Sequence, residues 1–193
     1  MYNGGSAAVI GLALKGHARR LWLYDSFRGL PPAGDRDGPQ VAWFTGELVG
    51  DLAAVRRRLA EVGLSADSVV IREGWFDETF ALPAPDQVAL LHVDADWYEG
   101  VRSTLGRFYD AVVDGGVVVL DDFPWWEGTR RAFYEFCVER DIAPIAHRHG
   151  LTGALYWYKG ETYERSHATR RVQSPQRPGV ASLGVGGGSR IGD

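Results

Sequence analysis

Apolar residues in this chain alternate between two patterns. Some form short unbroken runs, and others repeat at helical spacing. The unbroken runs are RLWLYD (20–25), DSVVIREG (67–74), VALLHVDA (88–95) and GVVVLDDF (116–123). Each is strand-sized, and turn-formers or acids bound it. Between these runs the spacing becomes helical. In ELVGDLAAVRRRLAEVG (47–63), Leu48, Leu52, Val55, Leu59 and Val62 share a face, Arg56, Arg57 and Arg58 lie mostly outside it, and Gly63 fits a C-terminal stop. GSAAVIGLALKG (5–16) reads as an amphipathic helix entered through two glycines. YEGVRSTLGRFYDAVVDGG (98–116) sets Val101, Leu105, Phe108, Tyr109 and Val112 on one face, and EGTRRAFYEFCVERD (127–141) is a further helix. GWFDETFALPAPDQ (74–87) is a loop with at most one helical turn. APIAHR (143–148) and GALYWYK (153–159) read as closing strands.

Strands thus alternate with helices, and the middle strands are continuously apolar. That predicts an α/β domain with a mostly parallel sheet covered by helices on both faces. In such sheets ligands bind beyond the carboxyl ends of the strands. Two segments stand apart. Residues 26–46 form a Pro/Gly-rich loop longer than most connections, of the kind that is functional or mobile. From Glu161 onward the chain is polar, aperiodic and rich in Gly, Ser, Pro and Arg. This predicts a domain over 1–160 and a disordered tail over 161–193.

Composition narrows the picture a little. The 193 residues suggest one domain; 45% are apolar and 24% charged, as in ordinary globular proteins. A net charge of −4 offers no broad basic surface for nucleic acid. No run is long enough to span a membrane, and the N-terminus lacks the basic flank of a signal peptide. Cys137 is the one cysteine, which excludes a disulfide framework or a cysteine zinc site and fits a cytoplasmic location. Homo-oligomer formation is left open.

The chemistry lies in acids at strand ends: Asp25, the Asp94/Asp96 pair and Asp121/Asp122. A single Asp at such a place is commonly a helix cap or turn former. Five acids at three matched ends of one parallel sheet are a different matter. The 88–95 and 116–123 strands, joined by one helix, are expected to be neighbours, which sets Asp94 opposite Asp121. Carboxylates crowded there repel unless a cation sits among them, and a hard divalent ion such as Mg²⁺ suits oxygen ligands. Not all need be ligands; one acid could bind metal while the next reaches a substrate. Asp25 is similar to the acid that closes the second strand of nucleotide-binding α/β folds and typically accepts hydrogen bonds from ribose hydroxyls. Gly4 and Gly5 in NGGSA open a helix N-terminus to a ligand. Trp75 and Phe76 fall at the same edge, where they either stack on a base or pack.

Read in order, GGSA, LYDSFRGLPP, FTGELVGDLAAVRRRL, VVIREGWFDETF, LLHVDADWYEGVRSTLGRFYDAVVDGGVVVLDDF and TGALYWYK resemble the macrocin O-methyltransferase family, from Gly4 to Lys159. The DSFRGLP and HVDADWYE…GGVVVLDDF blocks are its specific part. The resemblance implies a Rossmann-like class I methyltransferase that uses S-adenosylmethionine and Mg²⁺ to methylate a sugar hydroxyl, so the partner is a small-molecule glycoside. It implies Asp94, Asp121 and Asp122 as metal ligands and Asp96 as the general base. It further implies Asp25 with Ser26 at the ribose, Gly5 and Ser6 at the methionine side, and Gly74, Trp75 and Phe76 at the adenine. Family members carry a strand and an acidic, glycine-bearing loop before GGSA, so the sheet is expected to lack its first strand here. Trp125 and Trp126 either stack on a sugar or pack. Two other readings are a metal-dependent glycosyltransferase, from the acid-x-acid motif DAD, and an inactive methyltransferase remnant.

Overall fold

A computed structural model gives the structure of residues 2–39 and 41–162, and through Glu161 they form one compact unit. The element order follows the alternation read from the sequence: α1 (Gly5–Leu14), β1 (Leu21–Asp25), α2 (Leu52–Glu61), β2 (Val69–Glu73), α3 (Phe76–Thr79), β3 (Val88–Val93), α4 (Tyr98–Phe108), β4 (Val112–Leu120), α5 (Glu127–Glu139), β5 (His147–Arg148) and β6 (Leu155–Tyr158). β1 pairs with β2 in parallel, as β3 does with β4. β6 then runs antiparallel to β4, and β5 antiparallel to β6. The expected α/β class therefore forms, but with mixed rather than mostly parallel pairing: β1–β2 and β3–β4 are parallel, and β4–β6 and β5–β6 antiparallel. The expected tail lies outside the described residues apart from its first two, and Glu161 is held by His147 Nε2 at 3.2 Å.

The main core sits where α4 and α5 cover β3, β4 and β6. Leu105, Leu120, Val118, Ala132 and Trp157 are fully buried there. A smaller core of Ala7, Leu21, Leu23, Val55 and Leu59 joins α1 and α2 to β1. The strands do not form one sheet. β1–β2 and β3–β4–β6–β5 are separate, and a slot of about 170 Å³ lies between β1 and β3. Consecutive residues of both strands line it, Leu21 to Tyr24 and Leu90 to Ala95. Side chains alternate between the faces of a strand, so a cavity lined by consecutive residues faces strand edges.

Four elements differ from the periodicity. α2 begins at Leu52, not at 47, because the Asp51 side chain accepts from Ala53 N at 2.8 Å and caps the helix. Leu48, placed on the helical face by its spacing, has φ +57° and is exposed. α4 stops at Phe108, and Val112 instead opens β4 opposite Val88. A buried Val at that spacing suits a helix face and a strand equally. α1 is not amphipathic: Val9 and Leu12 are apolar and exposed on its outer side. Of the first closing strand only His147–Arg148 forms. No helix among the described residues is long and apolar enough to cross a membrane.

β4 has partners on both sides, whereas β1 has one partner and borders the slot. Amides of Val117–Leu120 are therefore expected to exchange with deuterium at least about tenfold more slowly than those of Leu21–Asp25. Hydrogen-exchange mass spectrometry checks this, and equal protection would mean that the slot is closed in solution.

Candidate active site

The parallel register of β3 and β4 pairs Val93 with Leu120, so both strands run out into acids at one edge. Asp121 N donates to Val93 O at 3.0 Å and extends the ladder one step beyond the strands. Alternation then sorts the side chains. Asp121 points towards His92, with Oδ1 4.0 Å from Nε2. Asp122 points the other way. Asp94, Asp96 and Asp122 come together, each with one carboxylate oxygen within 4.8 Å of the others. Asp121, expected among the metal ligands, is not in this group; its carboxylate lies beside His92 instead.

Asp96 is held in a costly conformation. Its φ is +54°, in the left-handed region that non-glycine residues rarely adopt. Three hydrogen bonds fix it there. Its N–H donates to Asp122 Oδ2 at 3.1 Å, its carbonyl accepts from Thr129 Oγ1 at 2.7 Å, and its Oδ1 accepts from Trp126 Nε1 at 3.1 Å. Backbone strain at Asp96 thus turns the carboxylate back towards Asp94 and Asp122 rather than letting it follow the strand.

The three acids repel. Two unit charges about 5 Å apart cost roughly 3 kcal/mol at an effective dielectric of about 20. Burial, together with the Asp94 and Asp121 charges, pushes the Asp96 carboxyl up to about 6 despite the Trp126 hydrogen bond. Burial and the charges of Asp96 and Asp94 push Asp122 up to about 8. Asp122 therefore keeps its proton at neutral pH unless a cation replaces it. An all-oxygen donor set of this kind suits a hard divalent ion such as Mg²⁺.

These acids border a cavity of about 820 Å³ over the carboxyl ends of the strands. Asp25, Ser26, Gly74, Trp75, Phe76, Asp94, Asp96 and Asp122 all line it. Asp25 Oδ1 accepts from Phe27 N at 2.8 Å, which fixes its carboxylate at the end of β1. Ser26 is mostly a turn former, its Oγ accepting from Arg28 N at 3.1 Å. Phe76 stacks on Phe80, centroids 4.7 Å apart at 11°. Gly5 and Ser6 do not line this cavity; Ser6 opens into the slot beside Asp94. Leu30, Pro31, Leu48, Glu99 and Arg107 line the cavity without having been singled out in the sequence. Leu48 gave a misleading signal, because its helical spacing concealed a loop position.

A parallel α/β core closed by an antiparallel strand, with a cavity across its carboxyl edge, places the chain among proteins of methyltransferase fold. The solved O-methyltransferase NovP superposes with a TM-score of 0.74 at 27% identity, over 83% of this chain and 69% of that one. The calicheamicin methyltransferase CalS11 shares the fold with a TM-score of 0.64 at 24% identity, over 81% and 67% of the two chains. The macrocin O-methyltransferase (TylF) family model matches residues 1–159, and the chain belongs to that family. Among its relatives is the 8-demethyl-8-(2,3-dimethoxy-alpha-L-rhamnosyl)-tetracenomycin-C 4'-O-methyltransferase of Streptomyces olivaceus, 31% identical over 64% of this chain and 50% of its own length. Another is the mycinamicin III 3''-O-methyltransferase of Micromonospora griseorubida, 29% identical over 80% of this chain and 61% of that protein. The chain therefore spans about half to three-fifths of the length of these relatives.

The raised Asp96 and Asp122 values set the sign of a pH effect. Both groups bind protons more tightly folded than unfolded, where a carboxyl titrates near 3.9. Their contribution to stability is full below that value and is lost as pH rises through about 6 and then about 8. In EDTA the melting temperature should fall between pH 5 and pH 9. Millimolar Mg²⁺ should restore it, by roughly several degrees at pH 8.5 and little at pH 5. Differential scanning fluorimetry reads both, and a Mg²⁺ effect independent of pH would remove the carboxylates as its site.

Proposed function

We propose that this protein is an S-adenosylmethionine- and Mg²⁺-dependent O-methyltransferase that acts in the cytoplasm on a sugar hydroxyl of a glycoside from secondary metabolism. The observation that carries this reading is the convergence of three carboxylates at one edge of a cavity that Asp25 and Gly74–Phe76 also border. The relatives, sugar O-methyltransferases by name, support the substrate class.

Asp94 and Asp122 would hold the ion, with Asp96 within reach of the same position. The ion, when bound, would act as a Lewis acid on the acceptor hydroxyl and neutralise the acids. S-adenosylmethionine would supply the methyl group. Asp25 would accept hydrogen bonds from its ribose, and Trp75 and Phe76 would line its adenine. Asp96 would take the hydroxyl proton. A carboxyl raised to about 6 is a stronger base than an ordinary carboxylate, yet it is still mostly ionised at neutral pH. The chain's remaining task is positioning, because an in-line attack tolerates little displacement.

Isothermal titration with S-adenosylmethionine, Mg²⁺ and a nucleotide sugar tests the reading. Binding of the first two without the third supports it. Nucleotide-sugar binding alone would point to the glycosyltransferase reading. Asp94→Asn should weaken Mg²⁺ binding at least about tenfold. Asp96→Asn should leave S-adenosylmethionine binding intact and lower turnover about 10²–10⁴-fold, measured by methyl transfer from labelled S-adenosylmethionine to glycosides with free sugar hydroxyls. Full turnover in Asp96→Asn would remove it as the base. A chain that binds both ligands but transfers no methyl group to any glycoside would match the inactive remnant.

A further inference from the structure

α4 and α5 start beside the carboxylate group, and each begins in an unusual way. Their N-cap residues are Trp97 and Trp126, and neither makes a side-chain cap. An uncapped helix start costs about 0.5–2 kcal/mol relative to Ser, Thr, Asp or Asn at that position. Both tryptophans are used elsewhere. Trp126 Nε1 donates to Asp96 Oδ1, Trp97 Nε1 donates to Pro31 O at 2.9 Å, and the two rings meet edge to face with centroids 5.2 Å apart.

The missing cap comes from 60 residues upstream. Asp37 lies in the long loop, yet only 3% of it is exposed. An acid is almost never so buried without a specific reason. Its Oδ1 accepts from Tyr98 N, the first amide of α4, at 2.6 Å, and its Oδ2 accepts from Gly34 N at 2.8 Å. Asp37 N donates back to Gly34 O at 3.1 Å, which closes the turn that carries the carboxylate. The same carboxylate rests on the first turn of α5, where a Cβ on Gly128 would overlap Oδ1 and lie 2.9 Å from Tyr98 N. Arg36 adds a second clasp. Its guanidinium lies 4.7 Å over the Tyr98 ring, and Nη1 reaches Tyr98 Oη at 2.8 Å and Glu135 at 2.5 Å.

The loop that Asp37 anchors forms a wall of the cavity. Its neck is closed by Leu30 N to Glu47 O at 2.9 Å and Gly46 N to Leu30 O at 2.8 Å. Gly29 fits there with φ +81°, since a Cβ would come within 2.6–2.7 Å of the Glu47 and Gly46 carbonyl oxygens. Leu30, Pro31 and Leu48 face the cavity. Beyond the neck, Phe44 packs edge-on against Trp126, centroids 5.2 Å apart.

We propose that Asp37 is a positioning residue: seated between the first turns of α4 and α5, it caps α4 in place of Trp97 and fixes Trp97, Trp126 and the 30–47 wall relative to Asp96. Asp37 does not line the cavity, so it acts through these groups. Capping by a distant acid leaves the cap positions free for tryptophans, one of which holds Asp96 while the other braces the wall. That the oriented carboxylate is the base rests on the proposed function; the positioning itself does not.

The experiment follows the indole N–H signals of the ¹⁵N-labelled full chain by NMR, assigned with single Trp→Phe variants. Trp157, buried in the main core, serves as the internal reference. In Asp37→Ala the Trp97 and Trp126 indole N–H groups should exchange at least tenfold faster with solvent while Trp157 stays within twofold. Asp37→Asn, which keeps an acceptor for Tyr98 N, should fall between. Gly128→Ala, which displaces the carboxylate by steric overlap, should reproduce the Asp37→Ala pattern if either alanine variant proves hard to purify. Unchanged Trp97 and Trp126 signals, or all three indoles loosening together, would overturn the proposal. These signals need no substrate. An inactive chain with the expected indole response would fail the methyltransferase reading alone, and an active chain without that response would fail the positioning alone.

Discussion

Mutual repulsion of three carboxylates is the constraint around which the carboxyl edge of this protein is organised. Asp94, Asp96 and Asp122 bring oxygens within 4.8 Å of one another in a half-buried place. Nothing in folding alone favours that. Separate acids would spread apart or titrate, and Asp96 and Asp122 do hold their protons more tightly than ordinary carboxyls. The surrounding structure has to impose the cluster. It does so with a left-handed residue fixed at three points, a parallel register that ends both strands together, and helices starting immediately behind each strand. The left-handed backbone and the crowded charges cost stability locally, and the large α4/α5 core lies beneath them.

That division explains why the two halves of the molecule differ in build. The β3–β4–β6 half has a continuous core and a strand, β4, paired on both sides. It carries the acids that must be held against repulsion. The α1–β1–α2 half has a smaller core, an edge on the slot and a helix with exposed apolar residues. It carries Asp25, a single carboxylate oriented by one local turn. The larger core and the doubly paired strand thus lie where the carboxylates crowd together.

The same logic sorts what was legible in the sequence. The acids at strand ends could be read because a charge ending an apolar run breaks a strong pattern, and the parallel topology aligned those ends without further information. Which acid of a DD pair turns inward could not be read, since alternation fixes only that Asp121 and Asp122 diverge. The register sets Asp94 level with Asp121. Asp122 joins the group beyond the strand ends, where its carboxylate accepts from Asp96 N, a contact no periodicity encodes. Helix boundaries failed where one residue suited two structures. Leu48 has helical spacing but follows Gly46 and precedes the Asp51 cap, and Val112 fits a helix face as well as a strand start. Asp51 and the glycines around it were the available signal for the first; a β-branched pair before DGG was the signal for the second. Asp37 gave no signal at all. One of two acids, Asp35 and Asp37, in a Gly/Pro-rich loop is indistinguishable from solvent-exposed turn chemistry until the fold brings Tyr98 and Gly128 against it.

Long-range capping of this kind also bears on how the site can vary. If Trp97 or Trp126 were replaced by a capping residue such as Ser or Asp, its helix would gain a local cap and depend less on the loop. The loop would then lose its indole hydrogen bond at Pro31, or Asp96 would lose its donor. Local helix stability and site geometry therefore compete for the same two positions. At α4 the structure resolves the conflict by placing the cap on Asp37, so the loop that walls the cavity also completes that helix start, whereas the start of α5 has no side-chain cap from Trp126. Within the loop, Gly34 and Arg36 also hold Asp37 and Tyr98, and Phe44 packs on Trp126. Only changes away from these residues, Gly29 and the neck would therefore leave the helix starts and the carboxylates undisturbed.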